Sequence, residues 1–212
     1  MDEGRARTAR DWLGELELPE RDDRPYVFAN FVATLDGRAA VHGSTRELGS
    51  RADVEMLLEL RCLPDAVLVG TGTLHAEGYG RLVRSEERRA VRESRGLAPD
   101  PLLVTITRGT DIPELPGIEQ PVIVYADADS PREALADLRG RGVRSVLCEG
   151  GPRLFRALLA DDLVDELFLT LAPALTGEPG APRILEGGEL RAAAELRWAL
   201  RAGDELYLRY GL

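Results

Sequence analysis

"VRSVLCEGGPRLFRALLADDLVDELFLTLAP" occupies residues 143–173. An apolar run, VRSVLCEGG, stops at two glycines. The amphipathic stretch PRLFRALLADD follows, and a second apolar run, VDELFLTLAP, closes the unit. The order reads strand, helix, strand. A helical crossover of this kind joins parallel strands. Strands covered on both faces carry near-continuous apolar runs, as these two do.

The same alternation extends in both directions. PYVFANFVATLDG (25–37) reads as a buried strand ending in a turn at Asp36-Gly37. Ser50, with Asp53 three residues on, has the spacing of a capping box for a helix over 51–61. DAVLVGTGT (65–73) is a strand entering a glycine-rich turn, and residues 81–98 are charged enough for a solvated helix or loop. PLLVTITRG (101–109) and QPVIVYADA (120–128) are two further strands. In SPREALADLRGRG (130–142), Ser130 is the N-cap, Pro131 suits the first helical position and Gly140 suits the stop. AAELRWALRA and ELYLRYGL, joined by Gly203-Asp204, read as an antiparallel hairpin that accounts for Trp198, Tyr207 and Tyr210. The fold class is therefore α/β, a mostly parallel sheet flanked by helices with a C-terminal antiparallel hairpin. Residues 1–24 form an N-terminal extension with Trp12, Leu13 and Leu16 at helical spacing, and residues 25–212 form the main domain.

The 212 residues, 44% hydrophobic, suffice for one core. No apolar run is long enough for a bilayer, so no membrane partner is expected. Two cysteines, Cys62 and Cys148, are too few for a disulfide framework, and a cytoplasmic setting is expected. The net charge of −10 argues against nucleic acid as a partner. All 27 basic residues are arginine. Phosphate contacts must then come from Arg, hydroxyls and backbone N–H groups.

Two strands end in glycine-rich turns, VLVGTGT and VLCEGGP. Ligands of open parallel sheets bind beyond the carboxyl ends of the strands, and a helix N-terminus is a ready anion site. Gly150 and Gly151 remove the Cβ atoms that would hold a diphosphate away, and Pro152 fits the first turn. The plain alternative is a tight turn with no ligand. The dinucleotide fingerprint is absent, because Gly70-Thr71-Gly72-Thr73-Leu74-His75 lacks the third glycine. His75-Ala76-Glu77 matches half of a zinc-deaminase motif, but the P-C-x-x-C half is missing, so no metal is expected. Asp36 and Glu149, each at a strand end, are the carboxylates best placed for catalysis. If Cys148 points into the core, strand alternation turns Glu149 the other way. His42, in a glycine-flanked loop, reads as exposed.

NFVATLDGRAA, LRCLPDAVLVGTGTLHAEGYG, ITR and CEGGPRLFRALLADDLVDELFLTLAP together resemble the reductase domain of the riboflavin biosynthesis deaminase–reductase family. The resemblance runs from about Pro25 to about Leu212 and implies a dihydrofolate reductase-like fold. It implies NADPH as cofactor, faced by Val32, Thr71, Thr73, Glu77 and Arg108 and by the turn-helix beginning Gly150, Gly151, Pro152, Arg153 and Leu154. It implies that Asn30, Thr45, Arg61, Arg84 and Glu149 face a small phosphorylated pyrimidine, with a homodimer as the assembly. Many two-domain relatives carry lysine where Asn30 sits, Asp-Asp-Pro or Asp-Asn-Pro after the glycine-threonine turn where this chain has Ala76-Glu77-Gly78-Tyr79-Gly80, and a loop Trp that is replaced here near Glu47.

The reaction implied is NADPH-dependent reduction of 5-amino-6-(5-phosphoribosylamino)uracil to its ribitylamino product. The ribosylamine opens to an imine, C1′ takes a hydride, and Asp36 or Glu149 assists. A reductase of dihydrofolate or another pterin, or a nucleotide-binding module without catalysis, are the alternatives on the same fold.

Overall fold

A computed structural model describes residues 8–14, 16–107, 109, 117–126 and 130–212. The strands are β1 (Tyr26–Thr34), β2 (Ala66–Leu68), β3 (Leu102–Ile106), β4 (Val122–Tyr125), β5 (Ser145–Cys148), β6 (Glu166–Ala172), β7 (Glu195–Ala202) and β8 (Glu205–Gly211). The helices are α1 (Ala9–Leu13), α2 (Arg51–Leu60), α3 (Thr71–Glu77), α4 (Glu86–Ser94), α5 (Pro131–Gly140) and α6 (Pro152–Ala160).

The strands form one sheet in the order β4-β3-β2-β5-β1-β6-β8-β7. Neighbours from β4 to β6 run parallel, and β8 and β7 continue the sheet antiparallel. This is the mostly parallel sheet with a terminal hairpin that the sequence pattern predicts. The last strand, β8, lies inside, and β7 takes the edge. β1 sits between two parallel neighbours, and seven of its nine residues are buried, which explains its unbroken apolar run.

Alternation along β1 divides the core. Val27, Ala29 and Phe31 pack toward α5 and α6 with Leu135, Leu138, Phe155 and Leu158. Phe28 faces the other way, with Met56 and Leu60 of α2, Leu74 of α3 and Leu13 of α1. Phe28 meets Phe168 edge to face at 5.9 Å, and Phe168 meets Trp198 at 5.9 Å, tying β1 to the hairpin. Such contacts add about 1 kcal/mol each beyond area burial.

Three local expectations change. Ser50 caps α2 through Ala52 N, and Asp53 does not complete a capping box. Its carboxylate instead accepts a hydrogen bond from Thr170, beside Glu205. The reciprocal box occurs at α1, between Thr8 and Asp11. The charged stretch 81–98 does contain helix α4, but Arg92 on it is fully buried, donating to the carbonyls of Arg61, Pro64 and Ala98 at 2.8 Å each. It thereby caps the end of α2, and burial pulls its pKa down to about 10. At α5 the left-handed residue after the helix is Gly142, with Gly140 still helical.

Candidate active site

The chain leaves β2 toward one edge of the sheet and β5 toward the other, and the crevice between such strands is where open α/β sheets take ligands. The two glycine turns meet there backbone to backbone. Gly70 N donates to Gly150 O at 2.8 Å. A Cβ on Gly70 would lie 3.1 Å from Gly151 N, one on Gly150 3.2 Å from Phe31 Cε1, and one on Gly151 3.2 Å from Thr73 Oγ1. Gly150 has φ +98°, which excludes most side chains, whereas Gly151 has φ −42°. The peptide between them is cis. Neither α3 nor α6 has a side-chain N-cap. The nine-residue α6 therefore presents N–H groups on a surface cleared of side chains.

Glu149 immediately precedes this cradle. Cys148 is fully buried on the α5–α6 side, so Glu149 points to the α2 side, as alternation predicts. There Arg61, at the C-cap of α2, donates Nε to Oε1 at 2.6 Å and Nη2 to Oε2 at 2.7 Å. Its third nitrogen, Nη1, donates to Leu82 O at 3.2 Å. The Tyr79 hydroxyl donates to Glu149 Oε2 at 2.8 Å, and the Arg61 guanidinium lies 5.7 Å from the Tyr79 ring centroid. The Glu149 side chain is 3% exposed and that of Arg61 14%. Burial weighs against the Arg61 charge, but the adjacent Glu149 carboxylate outweighs it and holds the guanidinium above its ordinary range. Burial, and then the Glu149 charge, push the Tyr79 phenol well above its ordinary value.

Arg61 and Tyr79 form one wall of a cleft of about 490 Å³. Five arginines (Arg46, Arg61, Arg81, Arg84 and Arg88) and a single carboxylate, Glu77, line it. Most of these charges are matched: Arg61 pairs with Glu149, and Arg46 lies 4.0 Å from Glu77. Arg81 pairs with Asp100 and Glu119, and Arg88 with Glu55 and Glu59. Arg84 is exposed and has no carboxylate within ion-pair distance among the described residues. A second cavity, of about 330 Å³, lies at the opposite ends of the strands, against Leu16, Leu63 and Arg144.

The remaining predicted residues divide into groups. Thr71 opens α3 and Thr73 lies in its first turn, its hydroxyl facing Gly151. Pro152, Arg153 and Leu154 form the first turn of α6, with Arg153 exposed and Leu154 packed on the core. Asn30 and Val32 project from β1 on the same face as Phe28, hence on the Glu149 side of the sheet. The Glu77 carboxylate accepts from Thr45 N at 2.9 Å and Ser44 Oγ at 3.3 Å, fastening the loop before α2 to the end of α3. Asp36 is likewise engaged locally: Thr34 Oγ1 and the backbone N–H groups of Thr176 and Gly177 donate to it. Those bonds, the Thr34 hydroxyl first, lower its pKa to about 2. His42 is exposed, 3.5 Å from Glu47. Arg108 lies outside the described residues. Tyr79 was not singled out in the sequence. Its one signal is an aromatic between two glycines, in a loop where backbone freedom exceeds what a plain connection needs.

Residues 25–206 match the family described as RibD C-terminal domain. A 2,5-diamino-6-ribosylamino-4(3H)-pyrimidinone 5′-phosphate reductase of Archaeoglobus fulgidus is 26% identical over 208 residues, covering 85% of this chain and 95% of that protein. Riboflavin biosynthesis protein RibD of Mycobacterium tuberculosis is 30% identical over 206 residues, covering 94% of this chain and 57% of that longer protein. The crystal structure of a pyrimidine reductase-like protein from Corynebacterium diphtheriae has a TM-score of 0.81 at 22% identity, over 96% of this chain and 98% of that one. That last likeness is one of fold.

Proposed function

The chain belongs to the RibD C-terminal domain family, and from that premise we propose that it is the reductase of riboflavin biosynthesis acting on a phosphorylated ribosylaminopyrimidine, with NADPH as its reductant. The observation that carries this reading is adjacency. Residues 149–151 place a carboxylate held by Arg61 directly beside a glycine-cleared helix N-terminus. The close packing at Gly70, Gly150 and Gly151 fixes the two turns against each other, and the uncapped N-terminus of α6 beside them fits a cofactor diphosphate. Gly150, Gly151 and the first turn of α6 would hold it, with Thr71 and Thr73 alongside and Val32 toward the nicotinamide. The arginine-lined cleft supports a phosphorylated substrate, with Arg84 as the cation left open for it.

When bound, a reduced nicotinamide supplies a hydride. In the substrate, the C1′–O4′ bond breaks as the exocyclic nitrogen forms a double bond to C1′. O4′ takes a proton, and C1′ accepts the hydride. The chain's own part is to hold the two reactants and exclude water between them. Glu149 acts as a fixed acceptor. A carboxylate has about four acceptor sites. Arg61 and Tyr79 occupy three, which leaves one on Oε1 for a ribose hydroxyl. Asp36, held near pKa 2 by its donors, is a poor proton source at neutral pH. The O4′ proton is therefore assigned to water.

Two further parts of the reading rest on separate observations. Leu196 and Leu206 remain exposed on the α5–α6 side of the sheet, which supports a homodimer burying that face. Cys62 and Cys148 are buried and unpaired, which supports a cytoplasmic setting.

The test is NADPH oxidation with three acceptors: 5-amino-6-(5-phosphoribosylamino)uracil, its 2,5-diamino-pyrimidinone counterpart, and dihydrofolate. Turnover of the uracil compound is expected, and the diamino arm tells whether reduction precedes deamination. Turnover of dihydrofolate alone would make the protein a pterin reductase, and no turnover at all would leave a nucleotide-binding module. NADPH is expected to bind more tightly than NADH, with the difference lost in Arg108→Ala.

A further inference from the structure

We propose that Tyr79 is a positioning residue for this reaction, acting through Glu149: its hydroxyl and ring fix the Glu149–Arg61 pair so that the single open acceptor site on Oε1 is aimed at the substrate's ribose. The proposal rests on the reductase reading above and deepens it by giving Tyr79 a role beyond occupying an acceptor site.

The local chain explains how Tyr79 gets there. α3 ends at Gly78, whose left-handed conformation (φ 63°, ψ 63°) reverses the backbone. Tyr79 then turns back under the carboxyl end of β5, with its ring against the Phe28–Leu60 side of the core. Its hydroxyl donates to Glu149 Oε2 at 2.8 Å and makes no bond to Oε1. Arg61 takes one hydrogen bond to each oxygen, so the guanidinium alone leaves the carboxylate free to exchange its two acceptors. Adding the Tyr79 bond to Oε2 breaks that symmetry. The ring also lines the cleft beside Arg61, with the guanidinium 5.7 Å from its centroid, within cation–π range. Because burial and the Glu149 charge hold the phenol well above its ordinary pKa, the hydroxyl stays protonated as a donor. It orients the carboxylate and does not shuttle a proton.

Positioning through Glu149 makes a prediction that a merely structural tyrosine does not. Tyr79→Phe keeps the ring, its packing and its contact with Arg61, and removes one hydrogen bond. With the pyrimidine substrate, kcat/KM is expected to fall by roughly 10-fold, as for a bond to a charged group. NADPH affinity, read by fluorescence titration, should stay within about 2-fold, and the melting midpoint should shift little. In the Glu149→Gln background the same substitution should cost under about 3-fold, since the group it acts on is already altered. Unchanged kcat/KM in Tyr79→Phe overturns the proposal. So does an equal loss in both backgrounds, or a loss confined to NADPH affinity. A wild-type protein inert toward both pyrimidines would overturn the reductase reading and the Tyr79 role with it, whereas an active wild type with an unaffected Tyr79→Phe variant overturns only the latter.

Discussion

Arg61 and Glu149, 88 residues apart in the chain, face each other through two parallel hydrogen bonds of 2.6 and 2.7 Å. One ends α2 and the other follows β5, so the pair joins a helix to the sheet behind the cleft wall that Arg61 lines. Removing one partner of a buried pair leaves the other uncompensated, at a cost of roughly 3–5 kcal/mol.

The first prediction separates stability from chemistry at this pair. Arg61→Ala should lower the unfolding free energy by about 3 kcal/mol or more in urea melts, because it strands a carboxylate that is 3% exposed. Glu149→Gln keeps the shape and some of the hydrogen bonds, and should be milder. Its effect belongs in turnover, with kcat/KM for the pyrimidine down about 10²-fold and NADPH affinity within a few-fold. Unchanged turnover would return Asp36 to first place among the carboxylates.

What could be read beforehand, and what could not, follows from how far each residue's partners lie along the chain. Glu149 opposite Cys148 is a matter of strand alternation, and the sequence suffices. That Glu149 is matched by Arg61 is a contact between distant segments, on which local periodicity is silent. Ser50 and Asp53 have capping-box spacing, but Thr170 on β6 competes for the Asp53 carboxylate and wins it. Arg92 has the surroundings of a solvated helix face and is buried only because α2 presents free carbonyls to it. The glycines at 150 and 151 looked equivalent; the fold makes one a conformational requirement and the other a spatial one.

The second prediction uses that difference. At Gly151 the backbone tolerates a side chain, and the obstacle is Thr73 Oγ1 at 3.2 Å together with whatever the cradle holds. Gly151→Val should fold and should weaken NADPH binding by about 10-fold or more, measured by titration. At Gly150, φ +98° and Phe31 at 3.2 Å act on the fold itself. Gly150→Ala should destabilise by about 1–3 kcal/mol with or without cofactor. A Gly151→Val variant that is folded and binds NADPH normally would make the turn purely structural.

The third prediction concerns assembly. Ala33, Leu171 and Leu206 are directly opposite one another across β1, β6 and β8, and Leu206 is 41% exposed, with Leu196 at 52% on the same face. Light scattering at micromolar concentration should give the mass of two chains, and Leu206→Arg should give that of one. A monomeric wild type would remove the dimer from the reading and leave the catalytic assignments untouched.

The last prediction is a pH dependence seated away from the cleft. Asp53 on α2 is partly buried beside Thr170 of β6 and Glu205 of β8, and Glu205 also accepts from Ser50 N, Ser50 Oγ and the Tyr207 hydroxyl. No arginine pairs with either carboxylate among the described residues. Burial, and to a lesser degree the Glu205 charge, raise the Asp53 pKa from 3.8 to about 6, while the Thr170 hydroxyl opposes the shift. A carboxyl with a raised folded-state pKa binds its proton more tightly in the folded protein than in the unfolded chain. Stability from this site is therefore greatest below about pH 4, falls as pH rises from about 4 to about 6, and is level above that. A shift of about two units corresponds to roughly 1–3 kcal/mol. Asp53→Asn cannot ionise, and its side-chain oxygen can still accept from Thr170. It should be more stable than the wild type by about that amount at pH 8, with the advantage gone at pH 4, in paired thermal melts. An equal difference at both pH values would show that Asp53 titration does not set the stability, and a variant less stable at pH 8 would show that Asp53 is held as a charged group.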